Sequence, residues 1–584
     1  MRRVLRKIRS DVLPVLDGDI VALIKLVAGM IAQGPSPSEF KRRIATAKMK
    51  AATEVLTGLR DWSGDDPAIL GYLYESLLES PDDRTKQGPR RRAGVFYTPS
   101  YIARFLVRAA TDAVLSHDRA EPPRILDPAC GGGAFLIAAH RELVRRYPGI
   151  DPRSIATGCL FGVDADPDAV HVAKMVLWLE TGLDARDRRR LVSNIRQGDS
   201  LREFADVDRE RYPIVVGNPP YRNVKRGISA GLRDFCKSHY VSARGQWDLA
   251  APFVEMTLRN LLEPGGACGF ILPNPILLAQ SYEPIRRIIL ENDLVAFGPA
   301  GRPFDDPDVE ASLVVIRAGR SKGRVATILD GRKGEVVEWG RKLPVRVLRR
   351  LPFRVFSHLA DPGFLEPILD ALDRGSLAPL GNFMSFTRGI ECGKSDPRIA
   401  TASPGGGTKA HPLIVGESVT PFFAHLTRYL VVDEDEQTGR LLKRGKLDQA
   451  GERLLLRRVA GRPIAAVAPP GALFLNTVYL VHGEGINAHS ACALLNSSLF
   501  REIFRQMFAF DDELFPYLRV SQISSVPAPR EALSDRKLAE WSLELHRIAL
   551  AQSGLPGTGR SSRLLEKTDA KVRGMYERAV SLRE

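Results

Sequence analysis

The sequence predicts an α/β chain built on a mostly parallel, doubly wound sheet. Three observations predict it. Short β-rich runs alternate with helical patterns from about residue 95 to about 320, the alternation that sets a helix between successive parallel strands. A glycine-rich turn, Gly131-Gly132-Gly133, separates the first of these runs from the helix that follows. Several runs end on polar residues, and ligands of such sheets bind outside the carboxyl ends of the strands.

Taken in order, residues 1–90 read as an N-terminal helical region. DIVALIKLVAGMIAQ (19–33) and PAILGYLYESLLES (67–80) space their apolar residues helically, and SPSEFKRRIATAKMKAATEVLTGL (36–59) is amphipathic with a basic face. TKQGPRRRAG (85–94) reads as a linker whose Arg90, Arg91 and Arg92 suit a phosphate backbone. The α/β domain spans 91–320. Its strand candidates are RILD (124–127), LFGVD (160–164), NIRQGD (194–199), PIVVGN (213–218), ACGFILP (267–273), LVAFG (294–298) and SLVVIRA (312–318). Residues 321–375 read as a connecting region of mixed strands, rich in arginine. Residues 376–584 read as a mixed α+β domain, with short strands and loops to about 530 and amphipathic helices at 531–553 and 564–582. SPGGGTKA (403–410) reads as a mobile loop.

The 84 Lys and Arg outnumber the 69 Asp and Glu, a formal charge of +15 that favours a polyanionic partner. The six cysteines, Cys130, Cys159, Cys236, Cys268, Cys392 and Cys492, contain no CxxC pair and no histidine at metal-ligand spacing. This argues against structural zinc and against a disulfide framework. MRRVLRKIRSDVLPVLDGD has no uninterrupted apolar stretch, so no signal peptide is expected, and no run approaches the length of a membrane span. A cytoplasmic protein is expected, with no metal.

RILDPACGGGAFLIAAHREL (124–143) reads as strand, glycine turn and helix. The three glycines remove side chains where a backbone approaches a ligand, and a helix opening near Ala134 directs free N–H groups at it. The turn matches neither GxGxxG nor GxxxxGK[ST]. Asp164 ends the next strand, where its carboxylate can accept from both hydroxyls of a ribose. Asp199 ends a third, placed to accept from an adenine amino group. Either acid taken alone is equally a strand-end or helix-cap residue.

A fourth strand runs into Asn218-Pro219-Pro220-Tyr221. Consecutive prolines fix φ and cannot donate, which gives a stiff corner of exposed carbonyls flanked by an amide and a phenol.

The ordered set FYTP (96–99), DPACGGGAFL (127–136), GVDADP (162–167), GDS (198–200), NPPY (218–221) and PFVEMTLRNLLEPGG (252–266) resembles the amino-methyltransferases that act on adenine N6 in DNA. The order resembles their gamma class, and within it the TaqI-type enzymes and large restriction-system methyltransferases. The likeness covers roughly 95–320. A looser one extends to TRGIECGKSD (387–396), GALFLNTVYLV (471–481) and the region from ALLNSSLF to PYLRVSQISSVPAP (493–529).

The resemblance implies a Rossmann-like methyltransferase domain that uses S-adenosylmethionine and acts on double-stranded DNA. It implies cofactor contacts from Tyr97, Thr98, Pro99, Asp127, Pro128, Ala129, Cys130, Gly131, Gly133, Asp164, Asp199 and Asn218. It assigns catalysis to Asn218, Pro219, Pro220 and Tyr221. Two acceptors, the Asn218 side-chain oxygen and the Pro219 carbonyl, would hold the N6 hydrogens and free the amine lone pair for attack. Tyr221 would stack on the base, with Phe304 as a second aromatic wall or simply a core residue. Thr98 could cap the helix after it. Asp248 sits where the family has further cofactor contacts, and Trp247 is either core or wall. The family often has Glu where this chain has Asp164.

The region 376–584 then implies a DNA target-recognition domain, with Arg388, Lys394, Lys409, Arg428, Arg440, Lys443, Arg444, Arg457, Arg458 and Arg462 as candidate contacts. Cys130 lies in the cofactor loop, not at the substrate position, which argues against a nucleophilic cysteine. The competing readings are a bifunctional restriction enzyme, for which Glu39-Phe40-Lys41 with Asp19 would be the nuclease signal, a non-catalytic DNA-binding subunit of a defence complex, and a methyltransferase for RNA or protein glutamine.

Overall fold

The computed structural model describes residues 68–77, 97–114, 121–182, 185–206, 210–224, 227–304, 309–319, 324–392, 396–401, 410–431, 452–468, 471–508, 517–552 and 559–582. The helices expected at 19–33 and 36–59, the Asp19 and Glu39-Phe40-Lys41 set, Arg90 to Arg92 and nearly all of the 403–410 loop lie outside these residues. The chain divides into two compact units, Met1–Arg349 and Arg350–Glu584.

The first unit carries a nine-stranded sheet. Its strands are β1 (Ile125–Asp127), β2 (Leu160–Asp164), β3 (Ile195–Gln197), β4 (Tyr212–Gly217), β5 (Leu262–Pro273), β6 (Asp293–Gly301), β7 (Ala311–Arg317), β8 (Val325–Asp330) and β9 (Val337–Pro344). They lie in the order 3-2-1-4-5-7-6-8-9. Strands β1 to β5 pair in parallel, and β7 runs antiparallel between β5 and β6. The seven strand runs read from the sequence all form strands of this sheet. Central strands are buried on both faces and so read as apolar runs, as in β4, where every residue is buried. The chain adds β2 and β3 on one side of β1, then returns to β4 on the other. That reversal opens a crevice at the carboxyl ends of β1 and β4.

Helices α1 (Ala68–Leu77), α2 (Ser100–Val114), α3 (Ala134–Arg146) and α4 (Pro167–Thr181) surround this half of the sheet. Helix α2 buries Ile102, Ala103, Phe105, Leu106, Val107, Ala110 and Thr111, one face at helical spacing, against α3, β4, β5 and β7. Helix α4 starts on Asp166, whose carboxylate accepts from the Asp168 N–H at 3.0 Å, and has Pro167 as its first residue. It stops at Gly182, in the left-handed region at φ +60°.

The sheet runs past the domain end expected at 320. Strand β8 adds parallel to β6, and β9 pairs antiparallel with β8 at the edge, where its exposed charged residues suit an unpaired side. The 321–375 stretch therefore begins as sheet. Its approach to β6 depends on a missing side chain, since a Cβ on Gly298 would stand 1.9 Å from the Leu329 carbonyl oxygen.

In the second unit a six-stranded sheet takes the order Ser385–Arg388, Val478–His482, Arg453–Arg457, Ala465–Ala468, Phe422–Ala424, Val419–Thr420. A four-stranded sheet joins Ile399–Ala400, Arg428–Val431, Ala410–Ile414 and Leu473–Phe474. The fully buried helix Ala488–Asn496 packs against Arg536–Gln552, which in turn packs against Arg560–Ser581. These last two are the closing amphipathic helices read from the sequence. No described helix is long and apolar enough to cross a membrane.

Gly298→Ala is expected to lower unfolding stability by about 2 kcal/mol or more, because backbone rather than a pliable side chain occupies the Cβ position. Chemical denaturation of the variant beside the unaltered protein measures it, and equal midpoints would refute the packing argument.

Candidate cofactor and substrate site

Strand β1 ends on Asp127, whose buried carboxylate accepts the Ala129 N–H at 3.0 Å and closes the turn. The next N–H, from Cys130, goes to the Val163 carbonyl of β2 at 3.0 Å. Gly131 then donates its N–H to Asp164 Oδ2 at 2.9 Å. Gly131 (φ +47°) and Gly133 (φ +89°) both hold left-handed backbone that a side chain would strain.

The three glycines do not share one purpose. Gly131 lines the cavity described below. Gly132 faces helix α1, where its Cβ would stand 2.7 Å from Gly71 Cα. Gly133 faces α4, where its Cβ would meet Ala173 Cα at 3.2 Å. Two of the three thus admit neighbouring helices, which corrects the expectation that all three serve ligand approach. The sequence hides this because both partners are remote along the chain. Cys130 packs its sulfur against β2, 3.1 Å from where a Gly162 Cβ would be.

Asp164, at the end of β2, is half-buried and accepts two backbone N–H groups, Gly131 at Oδ2 and Asp166 at Oδ1, each at 2.9 Å. Burial pushes its carboxyl above the ordinary range, and these N–H groups act against that rise. Asp199, after β3, pairs with Arg202 Nε at 3.2 Å. Ser200 beside it donates to the Pro128 carbonyl at 2.6 Å and ties the β3 end to the β1 end.

Strand β4 delivers Asn218. Gly217 lets the sheet close on Asp127, since a Cβ there would stand 2.8 Å from Asp127 Oδ1. Asn218 and Pro220 are half-buried and Pro219 is buried. Tyr221 shows part of its ring while its hydroxyl is buried, and burial followed by the nearby Asp248 carboxylate pushes that hydroxyl well above its ordinary pKa. Phe304 is buried and meets Tyr221 edge to face, ring centroids 5.9 Å apart at 72°.

The corner is pinned from behind. Leu249 donates its N–H to the Arg222 carbonyl, Val224 donates to the Trp247 carbonyl, both at 3.0 Å, and Asn223 bridges to Asp248. Trp247 is fully buried, which makes it core rather than wall. Asp248 is buried and accepts from the Tyr282 hydroxyl at 2.6 Å. Burial raises its carboxyl from 3.8 to about 6, against the opposing pull of that hydroxyl.

These strand ends enclose a cavity of about 170 Å³. Of the residues singled out in the sequence, Thr98, Asp127, Pro128, Ala129, Cys130, Gly131, Asp164, Asp199, Asn218 and Pro220 line it. Tyr97, Pro99, Gly133, Pro219, Tyr221 and Phe304 are not on its wall. The first N–H groups of α2, from Ile102 and Ala103, go to the Pro99 carbonyl, and Thr98 faces the cavity.

Sequence reasoning missed Phe135, Leu201, Arg222, Leu232, Leu249 and Phe253 on the same wall. Leu249 and Phe253, four apart around a short helix, were findable from their place beside Asp248. Arg222 directly follows the Pro-Pro-Tyr corner; burial lowers its guanidinium pKa, and Asp164 opposes that fall. A wall of apolar side chains with the carboxylates of Asp127, Asp164 and Asp199 suits a flat ring attached to a hydroxyl-bearing sugar.

Among the candidate recognition residues of the second unit, Arg457 Nε donates to the Val459 carbonyl at 2.8 Å and Arg458 Nη1 to the Asn476 carbonyl at 3.0 Å. The Arg458 guanidinium also lies 5.0 Å from the Tyr517 ring centroid. Arg388 is exposed and paired with Glu391 at 3.2 Å, Arg428 is half-buried and Arg462 exposed. Lys394, Lys409, Arg440, Lys443 and Arg444 lie outside the described residues.

Residues 158–296 match the Eco57I restriction-modification methylase model, and residues 411–528 match the TaqI-like C-terminal specificity domain model. The type II methyltransferase M.VspI of Vibrio sp. (strain 343) is 27% identical over 335 residues, covering 56% of this chain and 73% of its own length. The adenine-specific methyltransferase PglX of Streptomyces coelicolor is 26% identical over 235 residues, which span 32% of this chain but only 18% of that protein. In fold, the chain is similar to the type IIL restriction-modification enzyme MmeI, solved in complex with DNA, with a TM-score of 0.58, 15% identity and coverage of 99% of this chain and 89% of that one. The β2, β3 and β4 ends of the cavity fall within the methylase match, its glycine turn lies before it, and the sheet-rich second unit contains the specificity match. The chain thus carries a region similar to the Eco57I restriction-modification methylases, followed by one similar to the TaqI-like C-terminal specificity domain.

Proposed function

We propose that the chain transfers a methyl group from S-adenosylmethionine to N6 of an adenine rotated out of duplex DNA, at a defined sequence, as the modification arm of a cytoplasmic restriction or phage-defence system. Methyl transfer belongs to the domain at 91–320, together with the strands that extend its sheet. Target recognition belongs to 376–584. The N-terminal region (1–90) is the part that partner subunits would meet, and the connection (321–375) leads from the catalytic domain to the recognition domain. The observation that carries the reading is a shared cavity, which Asn218 and Pro220 line together with Gly131 and Asp164. The adenine-specific name of PglX and the DNA bound to MmeI lend it support.

The cavity suits the cofactor. Asp164 keeps acceptor capacity for the two ribose hydroxyls beyond the N–H groups it already holds, and Asp199 suits the adenine amino group. Thr98, Asp127, Pro128, Ala129, Cys130 and Gly131 shape the remaining wall, with Tyr97, Pro99 and Gly133 behind it. When bound, S-adenosylmethionine supplies an electrophilic methyl group on sulfur. The Asn218 oxygen and the Pro219 carbonyl accept the two N6 hydrogens of the target base and turn its lone pair toward that methyl. The rigid Pro219-Pro220 corner holds both acceptors still, so the chain contributes position and electrostatics rather than a covalent step.

Tyr221 stacks on the base. With Phe304 now in edge contact at 5.9 Å, a purine sandwiched between the rings needs about 7 Å between them, so Phe304 must give way as the base enters.

Incubation with duplex DNA and labelled S-adenosylmethionine, followed by nucleoside analysis, is expected to yield N6-methyladenine. Label on cytosine, or only on RNA or protein, overturns the proposal. Asn218→Ala is expected to lower kcat by roughly 100-fold or more while DNA binding persists. Asp164→Asn is expected to weaken cofactor binding roughly tenfold, read by isothermal titration.

The buried Asp248 sets a pH dependence. Its carboxyl holds a proton to higher pH when folded than when unfolded, so the folded state loses stability as pH climbs through about 4 to 6. Asp248→Asn keeps an acceptor for Tyr282 and removes that ionisation. The variant is expected to match the parent near pH 4 and to exceed it by up to about 3 kcal/mol near pH 7 in denaturant melts. A constant difference across that range would refute the assignment.

A further inference from the structure

Helix α1 lies sixty residues before the glycine turn and outside both matched regions, yet it reaches the cavity's framework at two points. Its Gly71 backbone lies against the glycine turn, where a Cβ would stand 2.6 Å from the Gly132 carbonyl oxygen. One turn on, the buried Tyr74 donates its hydroxyl to Asp166 Oδ2 at 2.6 Å. The Asp166 N–H is one of the two donors on Asp164, and the other comes from Gly131 of that same turn. A continuous path therefore runs from the Tyr74 hydroxyl through Asp166 to the Asp164 carboxylate. Leu70 and Leu73 are fully buried and fix the helix in this register.

We propose that α1 is a positioning element of the cofactor pocket, acting through Gly71 on the glycine turn and through Tyr74 and Asp166 on Asp164. The inference rests on the cofactor reading above. The Gly131 and Asp166 N–H groups hold the Asp164 carboxylate at the pocket edge, and they lie on two separate loops. Helix α1 touches both loops and holds them in register. Tyr74 is a positioning residue and is not itself on the cavity wall. Displacement of the N-terminal region in an assembly would act on cofactor affinity through this helix.

The test is a double-mutant cycle read by isothermal titration with S-adenosylmethionine, on the full chain, well below its melting temperature. Tyr74→Phe alone is expected to weaken binding roughly three- to tenfold, the size of one ordinary hydrogen bond. In an Asp166→Ala background the same change is expected to have no further effect, because the path is already cut. Gly71→Ala, which forces the turn to shift, is expected to weaken binding at least as much. Loss of thermal stability with unchanged affinity would mean that the helix only packs, and would overturn the proposal. Equal, additive effects of Tyr74→Phe in both backgrounds would overturn it too. Failure of the unaltered protein to bind S-adenosylmethionine would overturn the cofactor reading and this inference with it, whereas equal binding by all variants defeats the inference alone.

Discussion

The hydrogen bond from Gly131 to Asp164 joins the ends of two adjacent strands, and the cavity depends on it. With the Cys130 N–H on the Val163 carbonyl just before it, this bond keeps the exits of β1 and β2 together. The carboxylate draws both in, since it also takes the Asp166 N–H. Neighbouring ends are tied in the same manner, β3 to β1 by Ser200 on the Pro128 carbonyl, and β4 to β1 by the close fit of Gly217 on Asp127. Each tie involves at least one backbone group. The strand-end framework of the pocket is thus set largely by the main chain, which holds it in place before a ligand binds.

The substrate side is built on a different balance. The Asn218 to Tyr221 corner is fixed from behind by the short ladder with residues 247–249, and Asp248 is itself held by Tyr282. Phe304 meets Tyr221 across the position proposed for the base. Parting two such rings costs about 0.5–1.5 kcal/mol. Stacking a base on an aromatic side chain returns about 1–3 kcal/mol. The exchange favours an extrahelical base modestly, against the few kcal/mol that unstacking requires. Contacts to the flanking DNA must supply the remainder, which makes a separate recognition unit a physical need of the reaction proposed here.

What the sequence displayed and what it concealed divide along a physical line. Strand β4 was legible because a strand buried on both faces must be apolar throughout, and because two prolines mark its end. Asp164 and Asp199 were legible because an acid at a strand end is a local feature. Gly132 and Gly133 were misread, since their close partners, Gly71 and Ala173, lie far off in the chain and nothing in a glycine run says which neighbour it admits. Strands β8 and β9 were legible as mixed strands after 320, but their place in the sheet was not, since β8 joins β6 through its close fit on Gly298, a residue that reads as an ordinary strand glycine. Arg222 was passed over because its side chain gains meaning only when β2 brings Asp164 beside it.

Charge shows the same limit in the second unit. A surplus of 15 positive charges suggests many cations facing a polyanion. Yet several arginines there are spent on the fold. Arg453 donates to the Ala472 carbonyl at 2.6 Å, Arg457 to Val459, Arg458 to Asn476, and Arg501 to the Pro463 carbonyl at 3.1 Å. Guanidinium groups suit this work because several donors sit on one planar group that keeps its charge. The cations available to DNA are therefore fewer than the count implies, and exposure is the better guide. Arg388, Arg462 and Arg519 are exposed. Beside Arg458 stands Tyr517, the one aromatic among the exposed large hydrophobic side chains of the described residues. A ring left in solvent with a guanidinium against it gains little from folding. A ring and a guanidinium held together in this way suit stacked bases and phosphates, the kind of contact that the proposed reaction asks of this unit.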